Sequence, residues 1–197
     1  PGEYSQLYMA VSGILCAVIC IEDPIKAEAP SVIEALRNEG FSNLVMMTGD
    51  SKRTAAAVAH KLNLDGFYAE VLPEDKANFI HKEHEAGRKV IMIGDGINDS
   101  PALSASDVGI AISSGAAIAR EIADITISSD DLYALVTLRR LSRALTKRID
   151  FNYRFIMSFN SALIAIGVAG ILSPATTALL HNISTIGISL NSMTDLK

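Results

Sequence analysis

The sequence predicts an α/β domain, an open parallel sheet with helices on both faces, followed by a two-helix hairpin that crosses a membrane twice. Three observations carry this expectation. Short β-branched runs alternate with helical patterns through the charged part of the chain, the pattern of strand–helix–strand units. Three of those runs end in an acidic turn: Glu22-Asp23-Pro24, Thr48-Gly49-Asp50 and Gly94-Asp95-Gly96. Finally, the 40 residues from Phe155 to Thr194 contain no Asp, Glu, Lys or Arg.

The elements follow in order. Residues 15–21 are an apolar, β-branched strand. Residues 27–39 place Val32, Ile33 and Leu36 at helical spacing and stop at Gly40, a usual residue just past a helix end. Residues 43–47 are a strand closed by Thr48-Gly49-Asp50, and the Ala-rich stretch 51–62 is a helix. A short strand at 67–71 precedes Pro73; a helix over 74–86 is stopped by Gly87. A strand at 89–93 runs into Gly94-Asp95-Gly96, and a short helix covers 100–105. Strands are expected at 108–112 and 124–128 with a helix at 116–122 between them, then a long helix over 131–149. This gives a Rossmann-like cytoplasmic domain over 1–150 and two membrane helices within 151–197, at about 151–172 and 175–196.

Composition narrows the function. The chain has 197 residues, 17 basic and 22 acidic, and a formal charge of −5. An apolar share of 49% excludes a disordered chain, and the acidic balance excludes a basic nucleic-acid-binding domain. Two cysteines exclude a disulfide scaffold. The chain begins with Pro1, so a fragment of a longer protein is expected.

A hydrocarbon core needs ~20 apolar helical residues per crossing, so the uncharged stretch suffices for two, broken at Ser173-Pro174. Arg139, Arg140, Arg143, Lys147, Arg148 and Arg154 precede it. Cytoplasmic flanks are rich in such residues, which places the globular part and the C-terminus in the cytoplasm and the hairpin in the lipid of the cell membrane. Polar residues inside the hairpin, Asn160, His181, Asn182 and Ser184 among them, are read either as interhelical bonds or as a cation pathway.

In open α/β sheets, ligands bind beyond the C-terminal ends of the strands. Asp95 and Asp99, four apart in a Gly-flanked loop, are hard oxygen donors suited to Mg²⁺. Thr48 offers a hydroxyl and an N–H to a phosphoryl oxygen, Gly49 lets that oxygen approach, and Asp50 closes the same turn. Lys76 is a cation that offsets phosphoryl charge. Asp23 ends an apolar strand, where it is either a helper at a domain hinge, a nucleophile or a turn residue. Cys16 with Cys20, and His81 with His84 and Glu85, have weak metal-ligand spacing and are read as core and surface residues.

The ten residues Gly94-Asp95-Gly96-Ile97-Asn98-Asp99-Ser100-Pro101-Ala102-Leu103 resemble the hinge signature of P-type ATPases, within the haloacid dehalogenase (HAD-like) superfamily. Asp23-Pro24-Ile25-Lys26, Thr48-Gly49-Asp50 and Pro73-Glu74-Asp75-Lys76 match that family's other phosphorylation-domain motifs in the same order. Two helices directly after the domain resemble the end of the heavy-metal-transporting branch. The resemblance implies ATP-driven export of a transition-metal cation through an aspartyl-phosphate intermediate. It implies Mg²⁺ on Asp95 supported by Asp99, a phosphoryl group held by Thr48, Gly49 and Lys76, and a loop ordered by Asn98. It also implies what is missing: the nucleophilic Asp of the Asp-Lys-Thr-Gly-Thr motif and most of the ATP site belong to an N-terminal part outside this chain, so the fragment alone is expected to be inactive. His181 resembles an ion-site residue of zinc- and cobalt-type relatives, but Asn182 stands where they carry an acid, which leaves the metal open. Two other readings stay open: a partner subunit without activity of its own, and a membrane-tethered phosphatase using Asp23.

Overall fold

The computed structural model describes residues 5–21, 24–95, 97–112, 121–128 and 131–195. The chain forms two compact units, Pro1–Val136 and Thr137–Lys197.

The first unit opens with a hairpin that sequence periodicity does not reveal. Strands β1 (Ser5–Val11) and β2 (Ile14–Ile21) pair antiparallel, with Val11 opposite Ile14. The two turn residues, Ser12 and Gly13, have φ of 52° and 81°. Positive φ at both central positions is the turn that matches strand twist. The register slips between Met9 and Ala10, so Cys16 lies at a bulge. Both free cysteines are exposed on this ribbon rather than in a core strand.

Helix α1 (Ala29–Asn38) then leads to β3 (Val45–Met47), α2 (Lys52–Lys61), β4 (Gly66–Tyr68) and α3 (Pro73–Glu85). Next come β5 (Ile91–Gly94), a 3-10 turn at Ile97–Asp99, α4 (Ser100–Ala105), β6 (Val108–Ile112) and β7 (Ile125–Ile127). Helices α1, α2 and α3 end alike. In each, a left-handed residue (Gly40, Asn63, Gly87) donates back three residues and its successor donates back five, which satisfies two orphan carbonyls.

The α/β class and the parallel pairing are as expected, but the sheet is not one ladder. Among the described residues β3–β4 form a parallel pair and β5–β6–β7 a separate parallel sheet. Helix α3 packs on β4, where the rings of Phe79 and Tyr68 meet at a tilt with centroids 4.8 Å apart, and on α4 and the 3-10 turn. The core is built from Val32, Leu36, Ala55, Ala59, Ile80, Leu103, Ile110 and Val136. The helix expected at 116–122 falls mostly outside the described residues.

Asp107 ties three segments together. It accepts from Lys89 Nζ at 2.7 Å, from the Val90 N–H at 2.8 Å, and sits 2.8 Å from His84 Nε2. The His84 ring is therefore hydrogen-bonded to Asp107 rather than left free for a metal-binding pair. The Lys89 bond first, then the Val90 N–H and His84, hold the Asp107 carboxyl well below the usual carboxylate range. A depressed carboxylate stabilises the fold above its unfolded pKa of ~3.9, and that contribution is lost as pH falls below it. Asp107→Asn is therefore expected to lower stability at pH 7 and to flatten the loss below pH ~4. Denaturant titrations across that range check this; an unchanged acid limb in the variant would contradict it.

The hairpin divides at Ser173-Pro174 as expected, but its first helix begins earlier than expected. Residues 131–149 and 151–172 do not form two helices; α5 runs unbroken over Tyr133–Val168. It ends in the same motif at Gly170, whose φ is 69°. Helix α6 (Pro174–Ser192) begins with Ser173 capping the Thr176 N–H, and Pro174 occupies its first turn. Among the described residues no helix is long and apolar enough to cross a membrane. Arg154, Asn152 and Asn160 in α5, with His181, Asn182 and Asn191 in α6, dilute the apolar run. Asn152, Asn160, His181 and Asn191 pair across the hairpin. His181 Nδ1 lies 3.0 Å from Asn160 Oδ1, Asn152 Nδ2 donates to Ser192 Oγ at 2.9 Å, and Asn191 Nδ2 donates to Asn152 Oδ1 at 3.3 Å. Arg148 caps the C-terminal end of α6 through the carbonyls of Ser192, Thr194 and Asp195.

Candidate functional site

The site lies at the C-terminal ends of β3 and β5, and α3 links its two halves. At the end of β3, Thr48 Oγ1 donates to Asp50 Oδ2 at 2.7 Å, and the Asp50 N–H donates back to Thr48 Oγ1 at 3.1 Å. This reciprocal bond fixes the Thr48 rotamer. Gly49 between them is exposed, and a Cβ there would meet nothing within 4 Å. The chain returns to the same turn after β4. The Val71 N–H donates to Thr48 O, and the Glu70 N–H to Asp50 O. Glu70 does this with a φ of 57°.

Two residues later α3 begins. Its first turn is closed by Asp75, whose carboxylate accepts the Leu72 N–H at 3.1 Å. One position on, Lys76 points away from solvent and places Nζ 2.7 Å from Asp99 Oδ1. The side chains of Lys76 and Asp99 are only 13% and 11% exposed. A charge pair this shielded holds its geometry, because either partner left alone would be a buried, uncompensated ion.

The second Asp99 oxygen accepts the Asp95 N–H at 3.3 Å. Asp99 thus sets the backbone of the loop that carries Asp95, while the Asp95 residue itself is exposed at the end of β5. This closure depends on Gly94. An added Cβ there would stand 2.6 Å from Asp99 Cβ and 2.8 Å from Asp99 Oδ2. Asn98 is exposed on the 3-10 turn between Asp95 and Asp99.

Lys76, Asp95 and Asp99 are thus joined by hydrogen bonds on the β5 side, Thr48 and Asp50 bond to each other at the end of β3, and Gly49 and Asn98 lie exposed on the two turns. Asp23 lies outside the described residues. His181 and Asn160 meet each other in the second unit; Ser184 spends its hydroxyl on the His181 carbonyl at 2.7 Å, and Asn182 is exposed. No local pattern joins Lys76 to Asp99, 23 residues on. Gly94 was legible as a loop glycine but not as the residue that admits the Asp99 side chain. A Gly at the last strand position, followed five residues later by a short acid, is the signal that could have found it.

The donor chemistry fits one hard cation. Among the described residues no cluster of three or more His, Cys, Asp or Glu side chains is placed to hold a metal ion. Mg²⁺ does not need one. It is ordinarily bound through one or two carboxylates, with water and phosphate oxygens completing the shell. The exposed Asp95 residue supplies one carboxylate, and Asp99 stands beside it with its oxygens engaged by Lys76 and the Asp95 N–H.

The family profile of haloacid dehalogenase-like hydrolases matches residues 3–107. A zinc-exporting P-type ATPase of Mycobacterium marinum is 41% identical over 94% of the chain, which covers 26% of that protein. The copper-transporting ATPase 2 of Rhizobium meliloti is 44% identical over 91% of the chain and 21% of its own length. The crystal structure of a zinc-transporting PIB-type ATPase in an E2.Pi state superposes with a TM-score of 0.86 at 30% identity, covering 98% of this chain and 31% of that one. The chain spans about a quarter of the length of the curated relatives it matches.

Proposed function

The chain belongs to the haloacid dehalogenase-like hydrolases, and from that premise we propose that it is the phosphorylation-domain and helical-hairpin portion of an ATP-driven transition-metal exporter. The observation that carries this reading is the Asp95 loop held by the Lys76–Asp99 pair, in a chain whose similarity to metal-transporting ATPases runs through both units. In this reading the rest of the pump supplies the nucleophilic aspartate and most of the ATP site, and this portion alone turns over nothing.

The residues divide the work. Asp95 is the Mg²⁺ ligand, with Asp99 beside it. Bound there, Mg²⁺ supplies positive charge to the oxygens of the transferring phosphoryl group. Asp99 keeps the Asp95 loop closed and holds Lys76 in place. Thr48 and Gly49 present a hydroxyl and main-chain N–H groups to phosphoryl oxygens, and Asp50 keeps the Thr48 hydroxyl aimed. Lys76 adds positive charge fixed in advance of the reaction, so no reorganisation is needed when charge develops. Asn98 orders the turn between the two aspartates. Asp23 acts at the hinge before α1 as a helper of the phosphoryl site.

The hairpin is the membrane part of this pump. Neither helix is apolar enough on its own, yet its polarity is arranged as membrane helices arrange it. Large apolar residues such as Phe151, Ile164, Leu179, Ile183, Ile186 and Leu190 are exposed, while Asn152, Asn160, His181, Asn191 and Ser192 bond to one another. The basic cluster from Arg139 to Arg148 puts the globular unit and the C-terminus on the cytoplasmic side of the cell membrane. His181, Asn160, Asn182 and Ser184 line the path of the transported cation. The His181 imidazole suits a transition metal such as zinc, copper, iron or nickel.

The test is a phosphorylation assay on the complete protein. Incubation with ATP, Mg²⁺ and a panel of Zn²⁺, Cu⁺ and Mn²⁺ is expected to give a hydroxylamine-labile phosphoenzyme and metal-stimulated hydrolysis. Absence of both with every metal would overturn the pump reading. Hydrolysis of phosphate esters by the 197-residue chain alone would favour the phosphatase reading through Asp23.

A further inference from the structure

We propose that Glu70 is a positioning residue of the phosphoryl site, whose left-handed backbone, and not its carboxylate, sets the aim of the Thr48–Asp50 turn. The inference rests on the reading above that Thr48 and Gly49 hold a phosphoryl group. Three described residues other than glycine have a positive φ: Ser12, Asn63 and Glu70. The first two have ordinary causes. Ser12 makes the β1–β2 turn, and Asn63 follows the end of α2, where a left-handed residue is usual. Glu70 has neither cause. It lies between β4 and α3, with a φ of 57°. Short polar residues such as Asn and Asp visit that region, helped by local side-chain bonds, and Glu is not among them. Such a conformation persists only where its surroundings hold it, and residues so held cluster at functional sites.

The surroundings here are the Thr48–Asp50 turn. The Glu70 N–H donates to Asp50 O at 3.0 Å, and the Val71 N–H donates to Thr48 O at 3.1 Å. A left-handed residue brings successive N–H groups to one side, so the pair can grip both carbonyls of a single turn. The Glu70 side chain takes no part. No hydrogen bond or ion pair joins it to another described residue, and the residue is exposed. The consequence for the site follows from peptide planarity. No described peptide bond is cis, so each carbonyl points opposite to the N–H that follows it. The Val71 bond to Thr48 O therefore directs the Gly49 N–H away from the β4–α3 loop. Gly49 is exposed, and space for an incoming oxygen is left around it, since an added Cβ would meet nothing within 4 Å. The Glu70 bond acts one step further on. It tethers the main chain of Asp50, whose carboxylate accepts the Thr48 hydroxyl at 2.7 Å. One backbone conformation thus steadies both the Gly49 N–H and the Thr48 hydroxyl.

The experiment compares Glu70→Val and Glu70→Gly with the parent, all as the complete protein. Valine is β-branched and resists a positive φ, whereas glycine adopts it freely. Neither keeps the carboxylate. Orthovanadate, a mimic of the transferring phosphoryl group, probes the turn, and KM for ATP probes the rest of the ATP site. In Glu70→Val, the orthovanadate midpoint is expected to rise about tenfold and phosphoenzyme formation to slow about tenfold, less than the ~10²–10³ for removing a donor outright, with KM for ATP kept within about twofold. Glu70→Gly should recover both to within about twofold of the parent. A general loss of fold would instead shrink the active fraction and leave the vanadate midpoint where it was. Parental vanadate sensitivity in Glu70→Val would show that the turn needs no left-handed residue. A Glu70→Gly protein as impaired as Glu70→Val would assign the effect to the carboxylate. Either result overturns the proposal. Hydrogen exchange over residues 66–72 is followed in the same three proteins, and the Val71 amide should exchange about tenfold faster in Glu70→Val alone. A parent that neither forms phosphoenzyme nor responds to orthovanadate sinks the phosphoryl reading and the positioning role with it, while the exchange arm still reports whether a left-handed residue holds the turn.

Discussion

Asp95→Asn is expected to abolish phosphoenzyme formation from ATP in the complete pump while leaving the fold intact. The two halves of this expectation have separate causes. Asp95 is exposed, and its structural bond to Asp99 is made by the backbone N–H, which Asn retains. Exposed substitutions away from buried networks usually change stability by less than ~0.5 kcal/mol. The carboxylate, by contrast, is the free hard ligand of the loop. Its amide keeps the shape but loses the charge that Mg²⁺ needs, and loss of one electrostatic stabiliser typically costs ~10²–10³ in rate. Phosphoenzyme should therefore fall below detection with an unchanged unfolding midpoint. Normal labelling in Asp95→Asn would remove Asp95 from the metal site.

Much of this framework is legible in the sequence because it is local. Thr48-Gly49-Asp50 and Gly94 to Asp99 are turns at strand ends, and the residues that make the turn also make the chemistry. The helix stops at Gly40 and Gly87 are equally local, since a left-handed residue is needed where the chain leaves the helix. What stays hidden is of three kinds. The β1–β2 turn uses Ser12, an ordinary residue at φ 52°, so the apolar stretch around it reads as one interrupted run. The break between a long cytoplasmic helix and a first span is expected from a change in composition, yet a helix does not end because its environment changes. Without a Gly, Pro or cap near Asp150, α5 simply continues. Finally, Lys76 and Asp99 are 23 residues apart, and Glu28 Oε1 and the Leu132 N–H that it accepts are 104 apart. No periodicity encodes such pairs; they follow from how α3 and the start of α5 are packed.

Gly94→Ala should be nearly as damaging as Asp95→Asn, by the opposite route. Here the substituted residue has no chemistry to lose. The methyl group would arrive 2.6 Å from Asp99 Cβ, 2.8 Å from Asp99 Cγ and 2.8 Å from Asp99 Oδ2, all closer than real side chains approach. Cβ is fixed to the backbone, so rotating the Asp99 side chain cannot relieve the nearest contact. Either β5 or the 3-10 turn must move. Gly94 is buried at the end of a paired strand, with Ala111 of β6 as its register partner, which leaves the turn to give way. Overpacking of this kind costs ~1–3 kcal/mol, and a contact this short belongs at the upper end. Moving Asp99 also releases Lys76 and lets the Asp95 N–H go unbonded. A displacement of ~1 Å in a catalytic constellation can cost ~10² in rate. The expected result is therefore a stability loss of about 3 kcal/mol in urea together with at least ~10²-fold slower phosphorylation. The combination distinguishes it from Asp95→Asn, which should slow the chemistry alone. Wild-type stability and wild-type phosphorylation in Gly94→Ala would mean that Asp99 does not pack beneath Gly94, and the closure of the Asp95 loop would then need another cause.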